Sequence, residues 1–154
     1  MRYDPSLSQK SLEGIKLAVQ CEKEDELFYD YLISVAPTDD EKKIIASIRD
    51  DERGHNNMFR QIYKSITSAT LPIGADEEFV KPISYLDGIK KALFEKLGAV
   101  ERYREIRRGL PSTMYRDILF NIITDVIMHS SKYNYLYTLN SSNMLRDVQF
   151  REFM

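Results

Sequence analysis

Hydrophobic residues recur every three or four positions along most of this chain, which is the spacing of an amphipathic α-helix. Leu12, Ile15 and Val19 begin one such stripe, and Ile44 and Ile48 lie on another. Glycine and proline, which interrupt helices, account for only six and five of the 154 residues. The pattern therefore predicts an all-α chain with four long helices, at residues 8–36, 38–66, 84–109 and 111–139.

Local signals predict where these helices begin and end. Pro37 ends the first helix, and the capping box formed by Thr38 and Glu41 opens the second. Ser84 and Asp87 stand in the same relation at the start of the third helix. Only short turns are left between the first and second helices and between the third and fourth. Each of these two pairs is therefore predicted to form an antiparallel hairpin.

The segment between the hairpins carries Pro72, Gly74 and Pro82 and is predicted to be a linker. A helix of nearly thirty residues is about 40 Å long, and some sixteen extended residues reach about 50 Å. The linker can therefore run the full length of a bundle, and one long crossover in a four-helix bundle is the ferritin-like topology. We predict a single domain, residues 1–154, composed of a hairpin at 8–67, a crossover at 68–84, a hairpin at 85–139 and a C-terminal tail at 140–154. The tail is predicted to be polar at first, with a short separate helix from Met144 onward.

The two hairpins are predicted to be copies of each other. Residues 14–63 align without gaps on residues 88–137, at an offset of 74 positions. Identical pairs in this alignment include Gly14 with Gly88, Tyr29 with Tyr103, Pro37 with Pro111, Asp51 with Asp125 and His55 with His129. At the same register Lys96 stands opposite Glu22, and Val126 stands opposite Glu52. The second copy thus lacks two acids of the first.

Composition narrows the classes of partner. The chain has 22 basic and 24 acidic residues and a net charge of -2, which argues against a nucleic-acid or anionic-membrane binder. It has no apolar run of membrane-spanning length and no apolar signal-peptide core at its start. Its one cysteine, Cys21, excludes an intramolecular disulfide and fits a reducing compartment. We expect a cytoplasmic protein without nucleic-acid or membrane partners, and a homodimer or larger homo-oligomer remains open.

Hairpin geometry brings two acids to one height. Glu22 lies fifteen residues before Pro37 and Glu52 lies fifteen residues after it. His55 follows Glu52 by three positions, so both side chains share one helix face. That face is the apolar stripe of the second helix, where a buried carboxylate and imidazole need a compensating partner. A metal ion is one such partner.

The spacing of Glu22 and Tyr29, together with the run Asp51-Glu52-x-x-His55, resembles the ferritin-like di-iron carboxylate superfamily, in particular its rubrerythrin-type branch. The resemblance covers both repeats, residues 10–139. It implies a site of four Glu and two His that holds two irons, and an iron-dependent oxidoreductase or peroxidase-like activity. Full rubrerythrins carry a cysteine-ligated electron-transfer domain that this chain lacks, so an enzyme of this kind would need a separate redox partner.

The same resemblance implies roles for individual residues. The positions that match the family's metal ligands are Glu22, Glu52, His55 and His129. Asp51 is expected to hydrogen-bond His129, and Asp125 to hydrogen-bond His55, as is usual around a metal site. Tyr29 and Tyr103 are expected near the site, where either a packing role or a redox role is open.

Two departures from the family pattern limit this reading. Lys96 and Val126 replace two of the four Glu ligands, and the neighbouring acids Glu95 and Glu101 face away, because one residue turns a helical side chain by about 100°. One hypothesis is a metal-binding or oxidoreductase protein that retains at most one iron or other divalent metal, held by Glu22, Glu52 and His55. The alternative is a metal-free scaffold with a structural or binding role, in which Lys96 pairs with Glu22 and Glu52. A third hypothesis is an unrelated helical protein in which the motif occurs by chance. Residue types alone do not assign catalytic residues.

Overall fold

The computed structural model describes the backbone of residues 5–74 and 79–152 and the side chains of residues 6–74 and 79–143. Every regular element in these ranges is an α-helix, as the hydrophobic pattern predicts. The helices are α1 (Pro5–Gln20), α2 (Glu22–Val35), α3 (Asp39–Thr67), α4 (Tyr85–Gly109) and α5 (Thr113–Glu152). Within the described part of the chain, no helix has an apolar stretch long enough to cross a lipid bilayer.

Side-chain caps start α3 and α4 where they were predicted. The Thr38 hydroxyl accepts a hydrogen bond from the Glu41 backbone N–H at 3.2 Å. The Ser84 hydroxyl accepts one from the Asp87 backbone N–H at 3.1 Å. Both capping residues have extended backbone, so each satisfies an amide that the first helical turn leaves without a partner.

The predicted first helix, residues 8–36, is interrupted. Cys21 adopts φ -91° and ψ 15°, which separates α1 from α2. Helical bonding resumes at once, because the Asp25 N–H donates to the Cys21 carbonyl at 2.9 Å. Side chains of α2 therefore do not follow the register that one continuous helix predicts.

The last helix is longer than predicted. We expected it to end near residue 139 and a polar tail to follow at 140–154, but α5 runs unbroken to Glu152. The side chains of Asn140, Ser141 and Ser142 each donate to the carbonyl four residues earlier, at 2.7–2.9 Å, so these polar residues are accommodated within the helix. The separate helix from Met144 is therefore wrong, and residues 153 and 154 lie outside the described range. The crossover contains no helix in 68–74 and 79–84, as predicted, and 75–78 also lie outside the description.

The helices pack side by side around a shared interior. α1 packs against α3 and α4, α2 packs against α3, and α5 packs against α3 and α4. Short turns at 36–38 and 110–112 join α2 to α3 and α4 to α5. α2 touches α4 much less than α1 does, so the α1–α4 seam opens at the Cys21 break.

The buried apolar residues form two separate clusters rather than one core. One cluster is built around Ile15, Phe59, Ile106, Ile122 and Val126. The other is built around Phe28, Leu32, Ile48, Ile89 and Leu136. The gap between them falls at the middle of α3, α4 and α5, which is where the sequence places its polar core residues.

Candidate functional site

A thin layer of polar side chains separates the two apolar clusters. On each helix the polar residue is flanked along the chain by one residue from each cluster, as His129 is flanked by Val126 and Tyr133. We call this group the polar layer; it consists of Glu52, His55, Lys96 and His129. Because these four side chains are largely withdrawn from water, their polar atoms need hydrogen-bond or charge partners within the protein.

One oxygen of Glu52 is the centre of the polar layer. Glu52 Oε1 lies 3.0 Å from Lys96 Nζ and accepts a hydrogen bond from His129 Nδ1 at 3.1 Å. His55 Nδ1 lies slightly further away, at 3.6 Å. The side chains of Lys96 and Glu52 are only 13% and 12% exposed, so this is an ion pair largely withdrawn from water. The predicted contact between Lys96 and Glu52 is present.

The two histidines make reciprocal contacts with the aspartates of the opposite helix. His129 Nε2 lies 2.9 Å from Asp51 Oδ2 on α3, and His55 Nε2 lies 3.1 Å from Asp125 Oδ2 on α5. Both pairs are those expected from the sequence. The imidazole rings are 5.9 Å apart, and their Nδ1 atoms both face Glu52. The aspartates thereby orient the rings and leave the Nδ1 atoms for the centre of the layer.

The charges in the layer hold each other ionised. Burial acts to raise the pKa of Glu52, but Lys96 and the two imidazoles outweigh it and keep that pKa well below its usual range. Burial acts to lower the pKa of Lys96, and Glu52 outweighs it so that the pKa is raised. The pKa of His55 is likewise raised against burial by Glu52 and Asp125. Lys96 is therefore a fixed ammonium, and not a neutral amine available as a nucleophile.

Glu22, expected in the site, is not part of the polar layer. Its Oε2 accepts from Arg60 Nη2 at 2.6 Å, near the C-terminal end of α3. The same guanidinium donates to the backbone carbonyls of Leu71 and Pro72, at 2.9 and 3.2 Å, and so fastens the start of the crossover. The expectation of a Glu22–Lys96 contact is wrong, because the Glu22 carboxylate pairs with Arg60 and the Lys96 ammonium pairs with Glu52.

Asp25 faces the polar layer in place of Glu22. It lines the same cavity as Glu52 and Lys96, one helical turn beyond Glu22. Burial raises the pKa of Asp25 to about 6; Lys96 opposes the rise, while the carboxylates of Glu95, Glu52 and Glu24 add to it. The sequence pointed to Glu22 because of its height in the hairpin and its spacing from Tyr29. Asp25 lies within one helical turn of Glu22, and this proximity is the signal in the sequence that could have identified it.

Buried tyrosine side chains pack around the polar layer. Tyr29 and Tyr103 are 4% and 8% exposed, and the Tyr29 ring centroid lies 5.7 Å from Lys96 Nζ. Burial, reinforced by the charge of Glu52, raises the pKa of Tyr103 to about 12 and that of Tyr29 well above its usual range. Both phenols therefore remain protonated. Tyr133, which the sequence did not single out for the site, buries a hydroxyl without a hydrogen-bond partner among the described residues.

A cavity of about 650 Å³ connects the polar layer to the surface. It runs along the seam between α1, α2 and α4, and Glu52, Lys96 and Asp25 all line it. Its size lies within the usual range of small-molecule sites. The ion pair of the polar layer is thus reachable by a small molecule.

The side chains as arranged do not fit a bound metal ion at the centre of the layer. The Lys96 ammonium lies against the Glu52 oxygen that would coordinate a metal, and Glu22 is held by Arg60. Val126, at the other lost ligand position, is fully buried in an apolar cluster. Over the described ranges, no three His, Cys, Asp or Glu side chains converge in a metal-binding cluster. Buried His55 Nδ1 has no hydrogen-bond partner within 3.5 Å among the described residues, and Glu52 Oε1 lies 3.6 Å from it.

Comparisons of the chain with protein-family models, with curated proteins and with solved structures find no match.

Proposed function

We propose that this chain is a ferritin-like four-helix bundle of two repeated hairpins that works without a metal and binds a small ligand. In this arrangement α1 and α2 together occupy the place of the first helix. The long crossover, the 74-residue offset between the hairpins and the reciprocal His–Asp contacts support this assignment. The polar layer then lies where a di-iron protein of this kind would hold its metals.

The contact between Lys96 and Glu52 is the observation that carries the metal-free proposal. A carboxylate withdrawn from water needs a positive charge, and an ammonium at 3.0 Å supplies it. The same ammonium stands where a metal would have to approach Glu52, so ammonium and metal are mutually exclusive there. Replacement of two ligand carboxylates by Lys96 and Val126 also removes two of the negative charges that a second metal would neutralise.

A binding role follows from the cavity. A purely structural ion pair gains nothing from a passage to the surface, whereas the cavity of about 650 Å³ ends at Lys96, Glu52 and Asp25. Sites for small molecules typically combine apolar walls with a few convergent polar groups and a perturbed ionisable residue. The lining of this cavity combines apolar side chains such as Leu17 and Phe28 with several charged ones, among them Asp25, whose pKa is raised.

Metal content tests the proposal. The chain is expressed in medium containing iron, manganese and zinc, purified without chelators and measured by plasma mass spectrometry. We expect far less than one metal per chain. Lys96→Glu, which replaces the ammonium by a carboxylate, is expected to raise the metal content, and the exposed control Lys91→Glu to leave it unchanged. One tightly held metal in the wild type, lost in Glu52→Gln, would refute the metal-free proposal.

The unpartnered Nδ1 of His55 favours a second candidate function. If Lys96 swings away from Glu52, then Glu52, His55 and His129 offer one carboxylate and two imidazole nitrogens to a single divalent ion. Such a protein would be a one-metal relative of the di-iron oxidoreductases, dependent on a separate redox partner. The metal analysis above separates it from the metal-free proposal.

A further inference from the structure

The cavity beside the polar layer is lined along most of the length of α4. Its α4 wall extends from Lys91 to Ile106, about 22 Å at the rise of an α-helix. α1 approaches α4 closely, because a Cβ atom at Gly14 would lie only 2.6 Å from the Ile106 side chain. Beyond the Cys21 break α2 lies further from α4, and the cavity deepens there toward Asp25. The cavity therefore offers space along α4 with the carboxylate of Asp25 in its lining.

The charge at the deep end is negative and only partly compensated. Lys96 is paired with Glu52 and only partly offsets the charge of Asp25, which has no ion-pair partner within 4 Å in the described residues. Glu24 and Glu95 line the cavity near it, and Glu95 meets Lys91 only at 3.9 Å with both side chains about half exposed. The remaining lining cations, Lys10 and Arg102, are exposed to water. Burial is the main cause of the raised pKa of Asp25, about 6, and the nearby carboxylates add to it against the opposing charge of Lys96.

Apolar side chains line the cavity alongside its charged groups. Leu17 on α1, Phe28 on α2, and Ala99 and Tyr103 on α4 line the passage. Leu17 is 65% exposed, and a ligand lying in the seam would cover it. Burial of such surface contributes about 25 cal/mol per Å² before the cost of association is counted. The ligand therefore has an apolar body as well as a polar end.

We propose that this cavity binds an amphipathic organic amine, with its ammonium group against Asp25 and its apolar body along Ala99 and Tyr103. This inference rests on the proposed metal-free function, because it requires Lys96 to remain paired with Glu52. An ammonium group donates hydrogen bonds to the unpaired carboxylate and neutralises it in surroundings of low dielectric constant. A carboxylate ligand would instead face Asp25, Glu24 and Glu95 with no free cation at the same depth.

Calorimetric titration of the full chain at pH 7.5 tests the inference, with octylamine, octanoate and octan-1-ol as probes. We expect one octylamine per chain, bound at least tenfold more tightly than the other two. Asp25→Asn is expected to lose at least tenfold in octylamine affinity. Asp30→Asn is the matched control, because Asp30 lies on the same helix, is exposed and pairs with Arg49 at 3.0 Å. Leu17→Gln, a change at an exposed wall position, is expected to weaken octylamine several-fold and leave the thermal stability of the free protein unchanged.

Three results would overturn the inference. Octanoate binding as tightly as octylamine would mean that Lys96 recognises an anion. Octylamine affinity that survives Asp25→Asn would place the ammonium elsewhere. Manganese(II) bound in an Asp25-dependent manner, without octylamine binding, would assign the site to a metal cation. A chain that is metal-free on purification but does not bind octylamine contradicts only this inference, whereas a metal-loaded chain contradicts the proposed function itself.

Discussion

Removal of the Lys96 ammonium is the most direct perturbation of the polar layer. Lys96→Met keeps the length of the side chain and deletes the charge, which leaves Glu52 with His129 as its remaining close partner at 3.1 Å. Breaking a buried ion pair by removing one member costs about 3–5 kcal/mol. Because Glu52 is slightly exposed, at 12%, and keeps His129, we expect the lower end, about 3 kcal/mol. That is a large share of the 5–15 kcal/mol that stabilises a typical domain.

Urea unfolding followed by circular dichroism at pH 7.5 measures this loss. Glu52→Gln and the double variant Lys96→Met/Glu52→Gln complete a mutant cycle. The double variant is expected to be more stable than Lys96→Met alone, because it leaves no unpaired charge in the interior. Lys91→Met is the control, since its contact with Glu95 is 3.9 Å long and exposed, and a cost well below 1 kcal/mol is expected.

Two outcomes would refute the reasoning. If Lys96→Met unfolds within about 1 kcal/mol of the wild type, the ammonium does not compensate Glu52 to the extent argued. If the effects of the two single variants simply add in the double variant, the two side chains are not coupled. In either case the metal-free proposal loses the observation on which it rests.

Three further predictions follow from the same site. The pKa of Asp25 is raised from 3.8 to about 6 on folding, so ionisation of Asp25 opposes folding. The free energy of unfolding should therefore fall between about pH 4 and pH 6, by about 3 kcal/mol at most. Asp25→Asn should remove this pH-dependent component in urea titrations across the same range. Lys96→Glu combined with Val126→Glu should restore two carboxylates, and this double variant should bind two ferrous ions per chain with oxygen uptake. Each single variant should bind much less iron. A folded double variant that binds no more iron than the wild type would contradict the repeat alignment. Glu22→Gln should lower the free energy of unfolding by only about 1 kcal/mol and leave the metal content unchanged, since Glu22 pairs with Arg60 at a partly exposed position. A change in metal content would mean that Glu22 is a metal ligand after all.

Features that depend on local chemistry or on the repeat could be predicted from the sequence. The caps at Thr38 and Ser84 depend on a side chain and an amide three residues apart, and both are present. The reciprocal contacts of His55 and His129 with the aspartates, which the family resemblance of the two repeats implied, are also present. Such inferences need no knowledge of how the helices bend.

Features that depend on a small change of helix geometry could not be predicted. No glycine or proline marks the break at Cys21, and no sequence motif indicated that Glu22, the first residue of α2, pairs with Arg60 while Asp25 lines the cavity. The continuation of α5 past Asn140 was missed for a related reason. Polar residues that favour turns were read as the end of a helix, but Asn140 Nδ2 donates to the carbonyl of Leu136 and to buried Glu41, each at 2.8 Å. Tertiary contacts decided both cases.

The division of the interior into two apolar clusters has a consequence for how the helices align along their axes. Apolar side chains alone would allow one helix to slide along another, because apolar surfaces can pack against each other at many offsets. A shift of α4 by one turn, 5.4 Å, would carry Lys96 into a hydrocarbon layer and strand Glu52 without its cation. We infer that the polar layer selects a single longitudinal offset of the helices. Substitutions at its positions are then expected to arise in compensating pairs, since any one of them alone would leave an unpaired charge between the two clusters.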